Sequence, residues 1–594
     1  MNANVAVLFA VVVSFLTTGV SLPSSPERLI RSASSSFRSQ DAPQEYVEIT
    51  RPLPSEHLAP SCSHVLLRHS FANTIDGPPF TIPYSPPLGC TSPPWSSVVL
   101  ELFAASSGEQ YDRISGLWLG GVELLRTSTA EPSPSGIYWS VRKDVTRYSS
   151  LFLRSDLNVT MMLENIVNEV YTGIYHINVT LHFYKSGPDA FSSDFGSMKN
   201  INSILGFTGS RERYQTPADS IIPICDSGNR GFWFMIEKST DTRSKRIQVP
   251  TNTRQIVLEL YVSFHGNDEF WYSNPPNSYI RMNNLTTGRG NGAYREVFVK
   301  IDGRYVGSEV PFPVIFTGGI NPLFWEPVVA IGAFNLPSYD MELTPFLGPL
   351  LDGKPHEFEV GVRDGISYWL VDANLHIWLD HGSPSVETGS VLYYSLNQEM
   401  KRHEEFEKLD GSFRIKAWRK SKFGGWVRSS RGNLTTIVTS KFKVESLVKY
   451  ERDGTYKRVE QRVKSKRVVE VTSESGNKLN RVVHKRKHPL TVITSTLPGL
   501  NEDKYLLVTN VSHALKQTYS DKEASIKVHN SQDSDGWMEV EDHSVLSGEA
   551  STRQSFSFMD DSGCFSQIVA AINGQIAQDD SSHSCIHSSF LKTM

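Results

Sequence analysis

Short alternations of apolar and polar residues run along the chain from about Tyr46. Apolar side chains occupy every second position between Tyr175 and Tyr184, and residues 97–103 alternate in the same way. A period of two predicts β-strands with one buried face. Residues 256–264 (IVLELYVSF) form a further predicted strand, and few long windows hold the 3.6-residue period of a helix. The pattern therefore predicts an all-β chain built from antiparallel sandwiches or jelly rolls.

Turn residues between these strands predict hairpins. Residues 114–125 contain two strands joined by a Gly-Gly turn, and residues 297–306 contain two strands joined by an Asp-Gly turn. A strand is also predicted over 368–379, with an interruption at the Asp-Ala-Asn of 372–374. Residues 186–220 are polar and rich in turn residues, which indicates an insertion.

The first residues indicate entry into the secretory pathway. Residues 5–16 are an uncharged apolar run, which is too short to span a bilayer and typical of a signal-peptide core. Small residues at 18–21 place the predicted cleavage near residues 20–24. An uncleaved anchor or a buried strand is the alternative. No later stretch reaches the ~18 apolar residues that a membrane span requires, so no span is predicted.

Sequons for N-glycosylation agree with this compartment. Candidate glycosylation sites are Asn158, Asn178, Asn284, Asn433 and Asn510.

The cysteines are expected to form disulfides in an oxidising compartment. The candidate pairs are Cys62 with Cys90, around a Pro-rich loop, and Cys564 with Cys585, in a tail rich in Ser, Asp and His. Cys225 is left over and is interpreted as a small buried apolar residue.

Composition and charge narrow the classes of function. The 594 residues carry 59 basic and 63 acidic side chains, so no overall positive field indicates nucleic acid binding. Five cysteines without zinc-like spacing argue against a zinc module, and no metal or cofactor is predicted. Residues 441–489 hold 15 Lys and Arg against 6 Asp and Glu. These basic residues interleave with Val in two hairpin-like units, so they are interpreted as the solvent face of a sheet.

Carboxylates are the remaining candidates for chemistry, because the chain lacks the GxSxG, P-loop and HExxH motifs. In the segment 108–113, Glu109 precedes Asp112 and Arg113. An Asp beside an Arg can be held ionised and oriented. The alternative interpretation of this segment is a surface ion pair at a strand edge.

A second segment, residues 264–272, combines acidic and aromatic side chains directly after a predicted strand. Rings stack on the C–H faces of sugars while carboxylates bind hydroxyl groups. Trp271, together with His265, Asp268 and Glu269, is therefore typical of a sugar-binding cleft. The alternative is a small satellite core around the aromatic residues.

A longer pattern links both segments to a known family. The run from Trp118 to Pro132 (WLGGVELLRTSTAEP), followed by Lys143 to Tyr148 (KDVTRY), resembles the signature of the plant-type peptide:N-glycanase A family, peptide-N4-(N-acetyl-β-glucosaminyl)asparagine amidase A. Residues 60–380 carry this resemblance, and residues 390–594 are also similar to the plant members. Shorter blocks are more distantly similar to the bacterial N-glycanase F, which is built of two jelly rolls side by side.

The resemblance implies roles for individual residues. Asp112 matches the block of the bacterial catalytic Asp, Glu269 matches the block of a Glu that contacts substrate, and Glu164 falls near a second active-site Glu. The catalytic candidates are therefore Asp112, Glu269 and Glu164, and the substrate-binding candidates are Arg113, Glu109, Trp271, His265 and Asp268. The cysteines around both bacterial blocks are absent here, and Ile166 stands where the bacterial enzyme has a Trp.

The β pattern and the family blocks together imply the division of the chain. We expect a signal peptide at 1–22, a mobile leader at 23–45, a first jelly roll at 46–245 with the insertion near 186–220, a second jelly roll at 246–385, and a β-rich C-terminal domain at 390–594.

The resemblance also implies the reaction. The expected enzyme is a metal-independent amidase that hydrolyses the bond between an Asn side chain and the first GlcNAc of an N-glycan, giving Asp and a glycosylamine. Paired carboxylates predict an optimum on the acidic side. The expected substrates are N-glycosylated peptides or unfolded glycoproteins, in the apoplast, the vacuole or the endomembrane system. Plant members are described as processed into two chains, which the basic sites of the C-terminal third could permit.

Three other classes of function remain open. A non-catalytic lectin-like glycoprotein could use the same jelly rolls, because a fold alone does not imply activity. A glycoside hydrolase could use two carboxylates on a sugar–sugar bond and would leave one GlcNAc on an unchanged Asn. A structural, wall-associated glycoprotein is the third alternative.

Overall fold

The computed structural model describes most of the chain. The described residues are 30–31, 42–53, 55, 58–87, 89–90, 93, 95–185, 216–395, 398–499, 501, 503–522, 524–561 and 563–584. The predicted signal peptide, most of the predicted insertion and Cys585 lie outside these residues.

The described residues form an almost entirely β structure, which confirms the predicted all-β class, while the jelly-roll connection of the strands stays a prediction. The strands are β1 Ile30–Arg31, β2 Gln44–Tyr46, β3 Cys62–Phe71, β4 Phe80–Pro83, β5 Ser97–Ser106, β6 Ile114–Leu119, β7 Val122–Ser128, β8 Ile137–Asp144, β9 Asn158–Leu163, β10 Tyr175–Tyr184, β11 Ser220–Ile224, β12 Phe234–Ile236, β13 Thr242–Ile247, β14 Thr253–Phe264, β15 Glu296–Ile301, β16 Arg304–Glu309, β17 Tyr339–Glu342, β18 His356–Arg363, β19 Trp369–Leu379, β20 Glu387–Ser395, β21 Glu399–Glu407, β22 Asp410–Ser429, β23 Gly432–Glu451, β24 Tyr456–Ser473, β25 Lys478–Pro498, β26 Lys504–Ser520, β27 Ser525–Glu541, β28 Ser544–Met559, β29 Cys564–Ile572 and β30 Gln575–Ser582. The helices are α1 Asn277–Met282 and α2 Leu347–Leu350, and short 3-10 turns lie at Thr146–Tyr148, Gly266–Asp268, Trp271–Ser273, Pro322–Trp325 and Thr344–Phe346.

The first unit contains two sheets that follow the alternating sequence pattern. Their strand orders are β2-β8-β5-β10-β3 and β4-β9-β6-β7. The pairing of Leu119 with Val122 closes β6 and β7 into the predicted Gly-Gly hairpin. Apolar residues of both sheets, such as Leu124 and Leu181, lie in one hydrophobic core. All residues of β7 are buried, so this strand is covered on both faces.

The second unit also contains two sheets. Their orders are β11-β19-β14-β17, with β12 paired to β19, and β13-β18-β15-β16. The predicted Asp-Gly hairpin is confirmed by the pairing of Ile301 with Arg304. Strands β11, β12 and most of β13 lie in the range predicted for the first domain, yet they pair with β18 and β19.

The interruption predicted at 372–374 is wrong, because β19 runs unbroken through these residues. Asp372 and Asn374 are buried polar residues within the strand. The first unit supplies their hydrogen-bond partners, so the polar run continues the strand instead of ending it.

The C-terminal region forms one wide sheet of long strands. Its order is β20-β22-β23-β24-β25-β26-β27-β28-β29-β30, with β21 paired to β22 and β1 paired to β28. The prediction that the basic residues of 441–489 face solvent is wrong for three side chains. Arg467 and Arg486 are buried, and each has an Nη2 atom within 3.4 Å of Glu309 Oε2. Lys457 is also buried, and its Nζ donates to Ser273 Oγ at 3.2 Å.

Signature residues of the β6–β7 hairpin join the first unit to the second. The Arg126 guanidinium is fully buried and pairs with both Glu123 and Asp372, at 2.7 and 3.0 Å. Arg126 Nη1 also donates to the carbonyl oxygen of Leu370. Trp118 Nε1 donates to the other carboxylate oxygen of Asp372 at 2.9 Å. Two first-unit donors thus converge on Asp372 in β19, which fixes how the units meet.

The second half of the signature continues this interface. Glu259 in β14 accepts from the Tyr148 hydroxyl at 2.6 Å and lies 3.3 Å from Arg147 Nη1. Arg147 Nη2 pairs with Asp340 at 3.1 Å. The signature segments 118–132 and 143–148 therefore supply much of the polar contact between the two units.

The cysteines follow the predicted pairing as far as the described residues extend. Cys62 and Cys90 form a disulfide, as predicted. Cys564 is disulfide-bonded as well, and its predicted partner Cys585 lies outside the described residues. Cys225 is buried and forms no disulfide, and burial raises the pKa of its thiol to about 11. Among the described residues, no helix has the length and apolar character needed to cross a membrane.

Candidate active site

Asp112 lies at the open end of the β6–β7 hairpin, where the strand ladder continues past its last assigned pair. The Arg113 N–H donates to Thr129 Oγ1 at 2.8 Å, and the Thr129 N–H donates to the Arg113 carbonyl at 2.9 Å. These bonds extend the Ile114–Ser128 pairing by one residue. Asp112 is 7% exposed, so its carboxylate sits at a rigid and nearly buried position.

Arg113 ties this end of the hairpin to the neighbouring loop. Its Nη2 donates to Gln110 Oε1 at 2.7 Å, and Gln110 Nε2 donates to the Ile166 carbonyl at 2.9 Å. Glu109 is held by its backbone, since its N–H donates to Thr172 Oγ1 at 3.0 Å.

Tyr175 lies beside the backbone of the residues that precede Asp112 and Glu131. Its hydroxyl donates to the carbonyl of Tyr111 at 2.9 Å and lies 3.2 Å from that of Ala130. Burial raises the pKa of Tyr175, and the charges of Arg113, Asp112 and Glu131 also act on it. One buried hydroxyl is therefore in electrostatic reach of all three charged side chains.

Glu131 is a further carboxylate near Asp112. It lies within the signature run 118–132, but nothing in the local sequence marks it as a site residue. A Cβ placed on Gly318 would clash with Glu131 Oε1 and would lie 2.7 Å from Asp112 Oδ1. The two carboxylates therefore border the same small space. The hairpin register could have indicated Glu131, because it brings residues after Ser128 back beside residues before Ile114.

Gly318 belongs to a second-unit loop, residues 317–321, that closes over the open end of the hairpin. Thr317 Oγ1 donates to the Thr129 carbonyl at 2.6 Å, and Trp325 Nε1 donates to the Gly319 carbonyl at 2.8 Å. Ile320 has a φ of 67°, which is strained for a β-branched residue. Strain of this kind is concentrated at functional sites.

Phe270, the residue after Glu269, lies beside the other part of this loop. Its ring would lie 3.3 Å from a Cβ on Gly319, and Glu269 itself is 4% exposed. Burial raises the pKa of Tyr272, the Glu269 charge raises it further, and the charge of Arg289 lowers it. The consecutive glycines 318 and 319 thus contact the Asp112 side and the Glu269 side, and the loop brings the two predicted segments together.

Glu164 lies nearer the surface. It follows Leu163, the last residue of β9, which pairs with Ser115 in β6. Its side chain is 41% exposed and lies 4.0 Å from Arg230 Nη2. The strand register places Glu164 along the same edge as Asp112, at a position that solvent reaches.

Asp268 is held by a buried ion pair and by hydrogen bonds within the protein. Its carboxylate is fully buried and pairs with the buried Arg295 at 2.5 Å. It also accepts from Trp369 Nε1 at 2.7 Å and from the Ile366 N–H at 2.9 Å. These partners hold the turn that precedes Glu269.

Trp271 and His265 are also enclosed. Trp271 is fully buried and makes ring contacts with Phe264 and Trp369. The His265 ring is stacked between Phe316 and Tyr368, with centroids at 5.5 and 5.2 Å. Both side chains shape the wall behind Glu269.

The C-terminal sheet contacts the two loops from behind. Lys457 reaches Ser273 at the end of the turn that follows Glu269. Burial, together with the charge of Arg289, lowers the pKa of Lys457 to about 7. Thr552 Oγ1 donates to the Phe324 carbonyl at 2.7 Å, behind the loop that carries Gly318. The sheet therefore supports both sides of the candidate site.

Comparison with known proteins gives a consistent set of relatives. Residues 50–395 match the family model described as peptide N-acetyl-beta-D-glucosaminyl asparaginase amidase A. A curated protein of Prunus dulcis, named peptide-N4-(N-acetyl-beta-glucosaminyl)asparagine amidase A, is 40% identical over 546 residues, covering 91% of this chain and 93% of the relative.

Two groups of solved structures were also found. PNGase F, a glycosylasparaginase from Flavobacterium meningosepticum, is 12% identical with a TM-score of 0.33, covering 54% of this chain and 96% of that one. PNGF-II is 11% identical with a TM-score of 0.32, covering 54% of this chain and 66% of that one.

Proposed function

Because the chain belongs to the peptide N-acetyl-β-D-glucosaminyl asparaginase amidase A family, we propose that the site around Asp112 and Glu269 carries out the family's hydrolysis. The enzyme is an amidase that cleaves the bond between an Asn side chain and the first GlcNAc of an N-glycan. The products are Asp and a glycosylamine. The observation that supports this site best is the loop of Gly318 and Gly319, which has the Asp112 carboxylate beside Gly318 and the ring of Phe270, the residue after Glu269, beside Gly319.

Asp112 activates the attacking water in this proposal. Its position at the open end of a rigid hairpin fixes the carboxylate, as a general base requires. Arg113 holds the segment in place through Gln110 and adds a positive charge beside the site.

Glu269 binds the first GlcNAc or the departing nitrogen in this proposal, which the position of its neighbour Phe270 beside Gly319 supports. Glu164 contacts the substrate nearer the surface, where its partial exposure allows it to reach a glycopeptide. Glu109 lies on the same side as Asp112 and is the further candidate for substrate contact. Asp268, Trp271 and His265 act through Glu269 by shaping the turn that carries it.

The substitution Asp112→Asn tests the proposal directly. We expect it to abolish the conversion of glycosylated Asn to Asp in a glycopeptide, measured by mass spectrometry, with an unchanged thermal midpoint. A general base contributes roughly 100- to 10,000-fold to the rate. The exposed Asp156 provides a matched Asp156→Asn control that keeps full activity.

Near-normal turnover by Asp112→Asn removes this residue from the centre of the reaction. The same readout separates the other classes of function. A lectin leaves the glycopeptide intact, and a glycoside hydrolase leaves one GlcNAc on an unchanged Asn.

We also propose that the chain enters the secretory pathway, is glycosylated, reaches the apoplast or vacuole, and is processed into two associated chains. The apolar run at residues 5–16 supports the first step. The sequon residues Asn158, Asn284 and Asn510 are exposed, and Asn178 and Asn433 are half-buried. N-terminal sequencing of the protein purified from plant tissue tests two steps, the removal of the signal peptide and the processing into two chains. We expect a first N-terminus near residues 20–24 and a second one in the C-terminal third, whereas a single chain that begins at Met1 contradicts it.

A further inference from the structure

Glu131 and Asp112 present carboxylate oxygens to one point. Both Glu131 Oε1 and Asp112 Oδ1 lie within 3 Å of the position that a Cβ on Gly318 would occupy. The two oxygens are therefore within roughly 5 Å of each other, a separation that one water molecule can bridge.

The backbone on both sides of this pair is fixed. Thr129 is bonded reciprocally to Arg113, and the Thr129 carbonyl also accepts from the second-unit residue Thr317. The Tyr175 hydroxyl bridges the carbonyls of Tyr111 and Ala130, the residues that directly precede Asp112 and Glu131. The pair is thus built into the hairpin and does not depend on a chance meeting of long side chains.

Gly318 supplies the space in which the two carboxylates face each other. Its φ lies outside the left-handed region, so the backbone conformation does not require glycine there. A Cβ at this position would enter the gap between the carboxylates and displace the end of one of the two side chains. Glycine at position 318 therefore leaves the gap open to a small molecule such as water.

Two carboxylates this close to each other repel when both are ionised, and burial adds to that cost. A single proton shared by the two groups relieves the repulsion. Such a pair offers a base and an acid at the same place.

We propose that Glu131 is the second catalytic carboxylate of this site and protonates the departing amide nitrogen. The inference rests on the proposed function, in which Asp112 is the base. As water attacks the Asn side-chain carbonyl, a C–O bond forms and Asp112 takes one water proton. When the C–N bond breaks, the Glu131 proton goes to the nitrogen, which leaves as the glycosylamine. The proton on Asp112 then passes to Glu131 and restores the pair.

The substitution Glu131→Gln removes the acid and keeps the shape. We expect kcat for glycopeptide conversion to fall roughly 100- to 10,000-fold with a much smaller change in KM. The alkaline limb of the pH profile of kcat/KM disappears, because the group whose deprotonation causes it is gone. Glu131→Ala is expected to recover part of its rate in formate buffer at acidic pH, where formic acid can donate the missing proton.

Gly318→Ala tests the gap independently of either carboxylate. The added methyl separates the pair, so we expect a loss of kcat comparable with that of Glu131→Gln. Gly89→Ala is the matched control, since a Cβ on Gly89 meets no atom within 4 Å. Glu169 is exposed, and Glu169→Gln controls for the loss of one carboxylate.

The outcomes separate this inference from the proposed function. Wild-type enzyme that releases no glycan contradicts the proposed function itself. Active wild type, inactive Asp112→Asn and a Glu131→Gln variant with unchanged kcat and an intact alkaline limb overturn the role of Glu131 alone. A Glu131→Ala variant that stays folded, judged by its thermal midpoint, but gains nothing from formate also overturns it. If the Glu131 variants do not fold, the kcat of Gly318→Ala decides, and a wild-type value contradicts the inference.

Discussion

Asp268 and Glu269 are adjacent in sequence, and their carboxylates have different surroundings. Asp268 is enclosed with Arg295 and is satisfied by Trp369 and the backbone of Ile366. Glu269 stands one residue further along, and the ring of Phe270 after it lies beside Gly319. The Asp268 carboxylate therefore fixes the turn that carries Glu269.

Substitution of Asp268 distinguishes a structural role from substrate contact. Asp268→Asn leaves the buried Arg295 with an incomplete partner, and breaking a buried pair of this kind costs about 3–5 kcal/mol. We expect a clear fall in the thermal midpoint, measured by calorimetry, together with reduced activity. The exposed pair of Arg154 and Asp156 provides the control, and Asp156→Asn leaves the midpoint unchanged. A raised KM at an unchanged midpoint for Asp268→Asn contradicts the structural role.

Local sequence made the segments of Asp112 and Glu269 candidates, because each is a short acidic block next to aromatic or basic residues, and the family resemblance then selected these two residues. Glu131 could not be found in this way. Its neighbours in sequence are small residues and Pro132, and only the register of the hairpin and the second-unit loop bring it beside Asp112. Residues that come together only through contacts between the two units show no recognisable pattern in their neighbouring sequence.

At the scale of elements, alternation predicted the strands that have one buried face. β10 follows the expected period, whereas the hairpin of β6 and β7, which the Gly-Gly turn predicted, is buried at nearly every position. The pattern failed where a strand is covered on both faces by polar partners. In β19, Asp372 and Asn374 look like a break, yet Trp118 and Glu123 bind them across the interface.

The boundary between the first two domains depends on pairing that the sequence pattern does not contain. β11 to β13 follow the insertion in sequence and join β18 and β19 in space. We therefore propose that the second domain begins at Ser220 and not at residue 246. The composition around these strands gives no sign of their partners, since strand pairing is a tertiary property.

At the scale of the whole molecule, the C-terminal sheet is joined to the amidase units by buried polar contacts. Arg467 and Arg486 meet Glu309, and Lys457 meets Ser273. These inward-facing basic residues are spaced among outward-facing ones, so charge counting along 441–489 could not separate them. The sheet thereby becomes part of the site's support, a role that composition did not suggest.

One buried histidine makes this support sensitive to pH. His488 in β25 is 1% exposed and lies edge-on to Phe312, with ring centroids 5.2 Å apart. Within the described part of the chain, neither ring nitrogen of His488 has a hydrogen-bond partner. The ring lines a cavity of about 190 Å³ between the units. Burial, reinforced by the charge of Arg486, lowers the pKa of His488 to about 3.

The sign of the resulting pH dependence follows from proton binding. The unfolded chain protonates this histidine near its ordinary pKa of about 6.5, whereas the folded chain does so only near 3. The contribution of His488 to stability is therefore complete above pH 6.5 and is lost progressively as the pH falls toward 3. Over that range the loss is on the order of a few kcal/mol.

Replacing His488 with an apolar ring removes the proton-binding group and tests this dependence. We expect His488→Phe to lose less thermal stability than the wild type when the pH is lowered from about 7 to about 4, measured by calorimetry. The adjoining cavity gives the larger ring room, so the midpoint at pH 7 should change little. The exposed His403 provides a matched control, and His403→Phe should follow the wild-type curve. If the thermal midpoints of His488→Phe and the wild type fall equally with pH, His488 does not cause the acid sensitivity. His513, whose pKa burial lowers to about 4, is then the next group to substitute.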